Sequence, residues 1–354
     1  MTGFSSLSRL DAGAAMLRAR METLTRQVAD GRKGIYLGDI APQARQAIDL
    51  RADMNRRTTY QSTITQTLSQ ADVAQDTLQS LSDIATRAYT LAQGVSTANA
   101  SGIGAAAEEA RSALVQVAHL LNTQYGGEYI FGGTDTANPP VQDPDGISLS
   151  GMVQQITAAV QGLTAGGAGA VAPATMTAAQ SNAAGVTPFS AFLSDPAGGL
   201  TEARRSVPAA DGQNVPYGLF ANRNAAGVST GDTTGSWARD LIRGLASLAA
   251  VTPGQATTLG SDFDAMMVDV RQGLKDTISG IGQEQGALGS TQTRLKGMAT
   301  DHADVTVALK TQLSNIEEVD FAETMTRMTA TQTQLQASYQ AISLASNLTL
   351  TQYL

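Results

Sequence analysis

Residues 267–316 read MVDVRQGLKDTISGIGQEQGALGSTQTRLKGMATDHADVTVALKTQLSNI, and their reading decides the fold. Met267, Leu274, Ile281, Leu288, Leu295, His302, Leu309 and Ile316 stand seven residues apart without a slip. A repeat of seven over helical turns of 3.6 residues puts one seam along one helix and favours a left-handed supercoil with a partner. The partner is written earlier in the chain. After Pro42, well placed in a first helical turn, Ile48, Met54, Ile64, Leu68, Ala71, Ala74, Leu78, Leu81, Ala85, Ala88 and Val95 recur at a similar spacing. Two such rods pack most simply antiparallel, because the chain between them is long enough to return.

Each rod is flanked by a terminal helix. Upstream, Leu7, Leu10, Ala14, Leu17, Met21, Leu24 and Val28 alternate steps of three and four, and Asp30-Gly31 with Gly34 stop the run. Downstream, Phe321, Met328, Leu335 and Ile342 stand seven apart, with Met325 and Tyr339 at intermediate positions of the same seam. From Met328 to Leu354 there is no charge, yet Gln, Thr and Ser interrupt the apolar residues too often for a membrane span. Residues 1–57 carry ten Arg/Lys against six Asp/Glu, and residues 299–354 carry two against six, so the two ends attract each other weakly. The twelve seam residues Leu7, Leu10, Leu17, Met21, Leu24, Val28, Phe321, Met325, Met328, Leu335, Tyr339 and Ile342 are the candidate assembly interface.

Between the rods the pattern changes. Ala107, Ala110, Leu114, Val117 and Leu121 continue the helical period up to Gly126-Gly127, which ends that helix, and residues 128–134 read as a short strand or hairpin. Residues 135–235 read as an inserted module. It opens on Pro139-Pro140 and Asp143-Pro144-Asp145-Gly146, holds no charge from Gly146 to Ser194, and has one short helix around Val153, Ile156, Val160 and Leu163. The Ala/Gly-rich run 165–172 reads as a surface loop, and strand-like residues surround 215–220. Trp237, Leu241, Leu245 and Leu248 mark an amphipathic helix closed by Pro253-Gly254. The expected fold is mainly α: long antiparallel helical rods, a coiled-coil-like bundle of N- and C-terminal segments, with a short β-hairpin and an inserted α+β middle domain. Three parts follow: residues 1–36 with 318–354 as terminal coiled-coil helices, 37–134 with 236–317 as the rod, and 135–235 as a variable surface domain.

Chemistry is sparse. There is no Cys, so disulfides, thiolate metal sites and Cys nucleophiles are excluded. A net charge of -8 with no cluster of Lys and Arg speaks against nucleic acid. His302 and His119 lack a second ligand at metal-binding spacing and read as packing or boundary residues. Glu317, Glu318, Asp320 and Glu323 read as a solvated helix face, since no calcium-loop spacing accompanies them. The Gly-rich stretches 94–104 and 165–169 lack the Lys and Ser/Thr of a phosphate loop. No catalytic residue, cofactor or metal is expected, nor a membrane insertion or a cleaved signal peptide.

The arrangement resembles the bacterial flagellin family. Leu24-Thr25-Arg26-Gln27 through Asp30-Gly31-Arg32-Lys33 is similar to the end of that family's first helix. The stretch 127–136, GEYIFGGTDT, followed by Pro139-Pro140, looks like its hairpin entry, especially in the hook-filament junction branch. Val319-Asp320-Phe321-Ala322-Glu323 with residues 332–338, QTQLQAS, matches its C-terminal pattern, and the ending NLTLTQYL (347–354) is closer to the junction branch than to filament-forming flagellin. The loop Leu37-Gly38-Asp39-Ile40-Ala41-Pro42 departs from the family consensus. The resemblance implies a structural axial protein of the bacterial flagellum, outside the cell, exported without a cleaved signal by the flagellar type III apparatus with an export chaperone. It implies a ring or tubular homo-oligomer joining the first hook-associated protein to flagellin. Flagellin itself is the alternative, and a helical signalling rod of the chemoreceptor kind is a third reading.

Burying a seam residue returns roughly 1.5–3 kcal/mol, whereas ordering each helical residue costs about 1–2 kcal/mol in backbone entropy. A lone terminal pair is therefore marginal, and both ends are expected to be largely disordered in the monomer and to fold together on assembly with neighbouring copies. Limited proteolysis of a verified monomer should trim roughly the first and last 30 residues before the rods are cut; resistance there would overturn this expectation.

Overall fold

In the computed structural model, residues 2–350 are described, with side-chain surroundings for residues 8–344. The protein is mainly α: ten helices and two small antiparallel sheets form among the described residues. Two compact units arise, Met1–Thr59 with Asp301–Leu354, and Tyr60–Thr300.

In the first unit, α1 (Thr2–Asp30) packs along α10 (Phe321–Leu350). The pair is antiparallel, because Arg18 meets Tyr339, Thr25 meets Met328 and Arg32 bridges Glu318 in reversed order. The start of α2 (Ala44–Gly94) meets the end of α9 (Ser261–Glu317) in a small core of Ala47, Leu50 and Ile316, flanked by Ile40, Leu309 and Leu313. Ile48, expected on the buried stripe of α2, is instead exposed. Ala47 and Leu50 take that place, one small residue letting the backbones approach and one filling the gap.

In the second unit the antiparallel course of the same two helices is fixed by polar pairs. Gln61 donates to the Ala299 carbonyl, Gln292 to Asp72, Gln75 to the Gln285 carbonyl, and Arg271 to the Ala92 carbonyl. Between these pairs Met267, Leu274, Ile281, Leu288 and Leu295 are sealed from solvent, so the seven-residue stripe is the inner edge of α9. α3 (Ile103–Leu121) lies against α7 (Trp237–Ala250), and α4 (Gly151–Gln161) and α5 (Ala168–Gln180) also pack on α7. Residues 135–235 thus contribute to the same hydrophobic core as the helices around them.

This explains α7. The sequence marks one apolar face, yet every residue from Trp237 to Ala250 is buried. Its polar members survive burial because each has partners. Arg239 donates to the carbonyls of Asn222 and Ala179 and to the Asn182 side chain, and its guanidinium sits 5.1 Å from the Phe189 ring. Burial lowers its pKa to about 10, which leaves it charged at neutral pH. Arg243 reaches Asp232 at 3.0 Å and the Thr175 hydroxyl at 3.1 Å. Burial pushes the Asp240 carboxyl up, opposed by hydrogen bonds from Thr233 and Thr234.

Two local expectations change. The run 165–172 is not a loop throughout: after a turn at Gly166, φ +75°, α5 begins at Ala168. Alanine is the best helix former, and Val171, Thr175, Ala178 and Ala179 give α5 a buried face. Gly126-Gly127 is not a helix end but the hairpin turn itself, joining β1 (Gln124–Tyr125) to β2 (Glu128–Tyr129) with φ of +60° and +84°. Two successive positive φ angles are what a tight hairpin turn requires. Phe131 beyond it stands edge-on to Trp237 at 6.2 Å. α6 (Ala191–Ser194) follows, then β3 (Ser206–Ala210) and β4 (Gln213–Pro216), which form a second hairpin. Its Val207, Ala209, Val215 and Tyr217 pack on Ile64 and Leu295. α8 (Pro253–Leu259) starts on a capping box of Thr252 and Gln255.

Carboxylates on α9 tie the loops down by accepting backbone N–H groups. Asp262 takes Gly166, Asp264 takes Thr97, Asp276 takes Asp232, and the buried Glu284 takes Ala225, Ala226 and Gly227 in succession. Hydrogen bonds from the Thr97 hydroxyl and amide hold the Asp264 carboxyl below the usual range. Glu284→Ala leaves three amides without their acceptor. It should destabilise the second unit by about 2–4 kcal/mol, read as a lower denaturant midpoint, with Glu284→Gln intermediate.

Candidate assembly interface

Asp320 starts α10 by accepting the Glu323 amide at 3.0 Å, and Glu323 pairs with Arg327 one turn on. Beyond Arg327 the helix carries no charge. Its threonines fold back on their own helix: the hydroxyls of Thr324, Thr326, Thr329, Thr331 and Thr333 each donate to the carbonyl four residues earlier. A back-bonded threonine presents its methyl group, so Thr324 and Thr331 can be buried without a partner on another helix.

The inward line of α10 is therefore Thr324, Met328, Thr331, Leu335, Ser338 and Ile342, in steps of four and three, each at least half-buried. The sequence names Met328, Leu335 and Ile342 on this line but places Phe321, Met325 and Tyr339 between them. The structure leaves Met325 half-buried, Phe321 59% exposed and Tyr339 42% exposed. Thr324, Thr331 and Ser338 were missed because only apolar residues were counted. The signal that finds them is their own spacing of seven, interleaved with the apolar one.

On α1, Ala14 and Leu24 are buried, while Leu10, Leu17, Met21 and Val28 are half-buried. The side chain of Leu7 lies outside the described residues, as do those of residues 347–354 in the family-like ending. The Arg18 Nε donates to the Tyr339 hydroxyl at 2.5 Å, and the guanidinium carbon lies 5.2 Å from that ring's centre.

The base of the pair is held by backbone. Gly31, φ +68°, ends α1 and its carbonyl accepts from Val319 at 3.1 Å, while the Lys33 amide donates to the Glu317 carbonyl at 2.7 Å. The acidic group of this region is spent on structure: Glu317 pairs with Arg51, Glu318 accepts from Ser314, and Asp320 and Glu323 serve α10 as described. No group of three or more potential metal ligands occurs among the described residues. Buried His302 has its Nδ1 3.3 Å from the Arg57 guanidinium, and exposed His119 meets Asp145 at 2.8 Å. Arginine only donates, so the His302 Nδ1 facing it is the acceptor nitrogen.

A two-helix pair whose seam is only half-covered, with Met16 (73%), Phe321 and Tyr339 exposed beside it, keeps apolar surface available for further helices. No helix among the described residues is long and apolar enough to cross a membrane.

Residues 272–354, the greater part of α9 together with α10, match the family model of the bacterial flagellin C-terminal helical region. None of the curated proteins matches the chain. The match makes this C-terminal part of the chain similar to bacterial flagellin.

Placing a charge on the shared part of the seam tests its role. Leu335→Asp and Ile342→Lys should each abolish sedimentable assemblies while the second unit keeps its thermal transition. Polymer at parental yield from either variant would remove the seam from the interface.

Proposed function

We propose that this chain is an axial structural protein of the bacterial flagellum that joins the hook to the flagellin filament as a ring of its own copies. The observation that carries the flagellar reading is the family match over 272–354, which falls on the terminal helix whose seam is half-covered. The junction role rests on the likeness of residues 127–136 and 347–354 to that branch of the family.

In this reading α1 and α10 pack with the same helices of neighbouring copies, and the twelve seam residues named from the sequence lie in or beside that packing. The first hook-associated protein is the partner on the hook side and flagellin on the other. The chain reaches the tip through the flagellar type III apparatus with an export chaperone. A cysteine-free chain suits that route, since no disulfide has to be made or broken.

A second reading is that the chain is flagellin itself, favoured by the matched model being that of the flagellin C-terminal region. Deleting the gene separates the two. A junction protein predicts normal hooks, no attached filaments and full-length flagellin in the culture medium. Loss of the filament with no flagellin in the medium would make the chain the filament subunit. Unchanged hooks and filaments would overturn both.

A further inference from the structure

We infer that the loop following α1 is one half of a contact between copies of this chain, and that the outward side of α9 near its C-terminal end is the other half. Both surfaces belong to the first unit. In the loop, Ile35, Tyr36 and Leu37 are exposed in succession, Tyr36 by 74%. Ile35 lines a groove of about 840 Å³ with Arg26, Asp30, Arg32 and Asp39, and Tyr36 and Leu37 line a smaller one beside it with Ile35 and Arg32. Three adjacent exposed apolar side chains on a loop are an unusual exposure for a surface that stays in water.

The loop is held in shape. The Asp39 carboxylate accepts the amides of Ile35 at 2.9 Å and Tyr36 at 3.0 Å, and Ile40 packs on Leu309 and Leu313 from the inside. A surface ordered before it binds loses less entropy on binding. Lys33 is committed to the Asn315 carbonyl, and Arg26 and Arg32 have no ion-pair partner among the described residues.

The complementary surface lies on α9. Asp301, Asp304 and Val307, in steps of three, form one exposed stripe, Val307 by 65%, and neither carboxylate has an ion-pair partner among the described residues. Lys310, one turn further, is the cation of this stretch. Val307 and Asp304 stand across the helix from the buried line of His302, Leu309 and Ile316. So an apolar tripeptide with two unpaired guanidinium groups finds its counterpart in an exposed valine with two unpaired carboxylates on the same stripe.

One chain cannot make this match within itself. Arg32 bridges Glu318, fourteen residues along the chain from Asp304, about 20 Å along a helix. The two patches are also different from each other. A contact between unlike patches is head-to-tail, and repeated copies then close into rings or continue as helical tubes. The inference rests on the self-assembling reading above and names a contact within it.

The absence of cysteine makes the test clean. Tyr36→Cys and Val307→Cys proteins, each confirmed helical, are mixed, assembled and oxidised. A disulfide-linked dimer of the two species should appear in assemblies and be absent from dilute monomer. Tyr36→Cys mixed with Leu149→Cys, an exposed position in the second unit, should give none. In parallel, Arg32→Glu and Asp304→Arg should each slow assembly several-fold, and their mixture should recover part of the loss. Assemblies verified by microscopy without the 36–307 link overturn the inference. So does a link that forms inside a doubly substituted monomer, or protection of the Tyr36→Cys thiol only by added flagellin or hook protein. None of these readouts depends on the deletion strain, so the two ideas fail separately.

Discussion

The structure depends on the pairing of α2 with α9 along a stripe that repeats every seven residues. Eight positions seven residues apart supply it. In the second unit five of them are fully enclosed, and in the first His302 and Ile316 remain buried. The core is mainly aliphatic, as aromatic residues are only 5% of the chain, with Phe131, Phe220, Trp237 and Phe263 fully buried in the second unit. Small residues on the facing helix, Ala71, Ala74, Ala85 and Ala88 among them, let the two backbones lie close, so dispersion contacts replace bulk. Glutamines at the margins, Gln61, Gln75 and Gln292, add direction to a surface that is otherwise indifferent to sliding.

Around this pair the second unit is built by covering α7 completely. A helix with buried Arg239, Asp240 and Arg243 is tolerable only because carbonyls, amides and carboxylates of the 172–240 stretch converge on it. The carboxylates of α9 do the reverse, accepting from loop amides. Hydrogen bonds from Thr97 depress the Asp264 pKa, so its contribution is complete above the ordinary carboxylate range and is lost as pH falls through the lowered folded value. Asp269 is displaced the other way, by burial and by the neighbouring charge of Asp232 against the pull of Arg243, so its protonation in mild acid favours the folded state. The two effects oppose each other within one unit.

The rods were legible because a period of seven sustained over many turns has few alternatives, and Gly31 marked where the first helix ends. The wrapping of α7 was not. Its four regularly spaced apolar residues describe one face, and nothing in residues 237–250 tells that chain from 150 to 180 returns to cover the others. The threonine positions of α10 were hidden for a related reason. Hydropathy scores the hydroxyl, whereas the fold uses the methyl once the hydroxyl has bonded to its own helix. Tyr339, an aromatic residue on the apparent seam, stands partly exposed and serves as a platform for Arg18, a role that hydropathy alone does not show.

The back-bonded threonines have a mechanical meaning. Across the Thr324 and Thr331 layers neither hydroxyl is spent on the opposite helix, so those layers act as a bearing more than as a latch. Register is carried elsewhere, by the Arg18–Tyr339 contact and by the backbone bonds at the base of the pair. A helix of this kind can also be drawn out alone without stranding a polar group, because its hydroxyls travel with it.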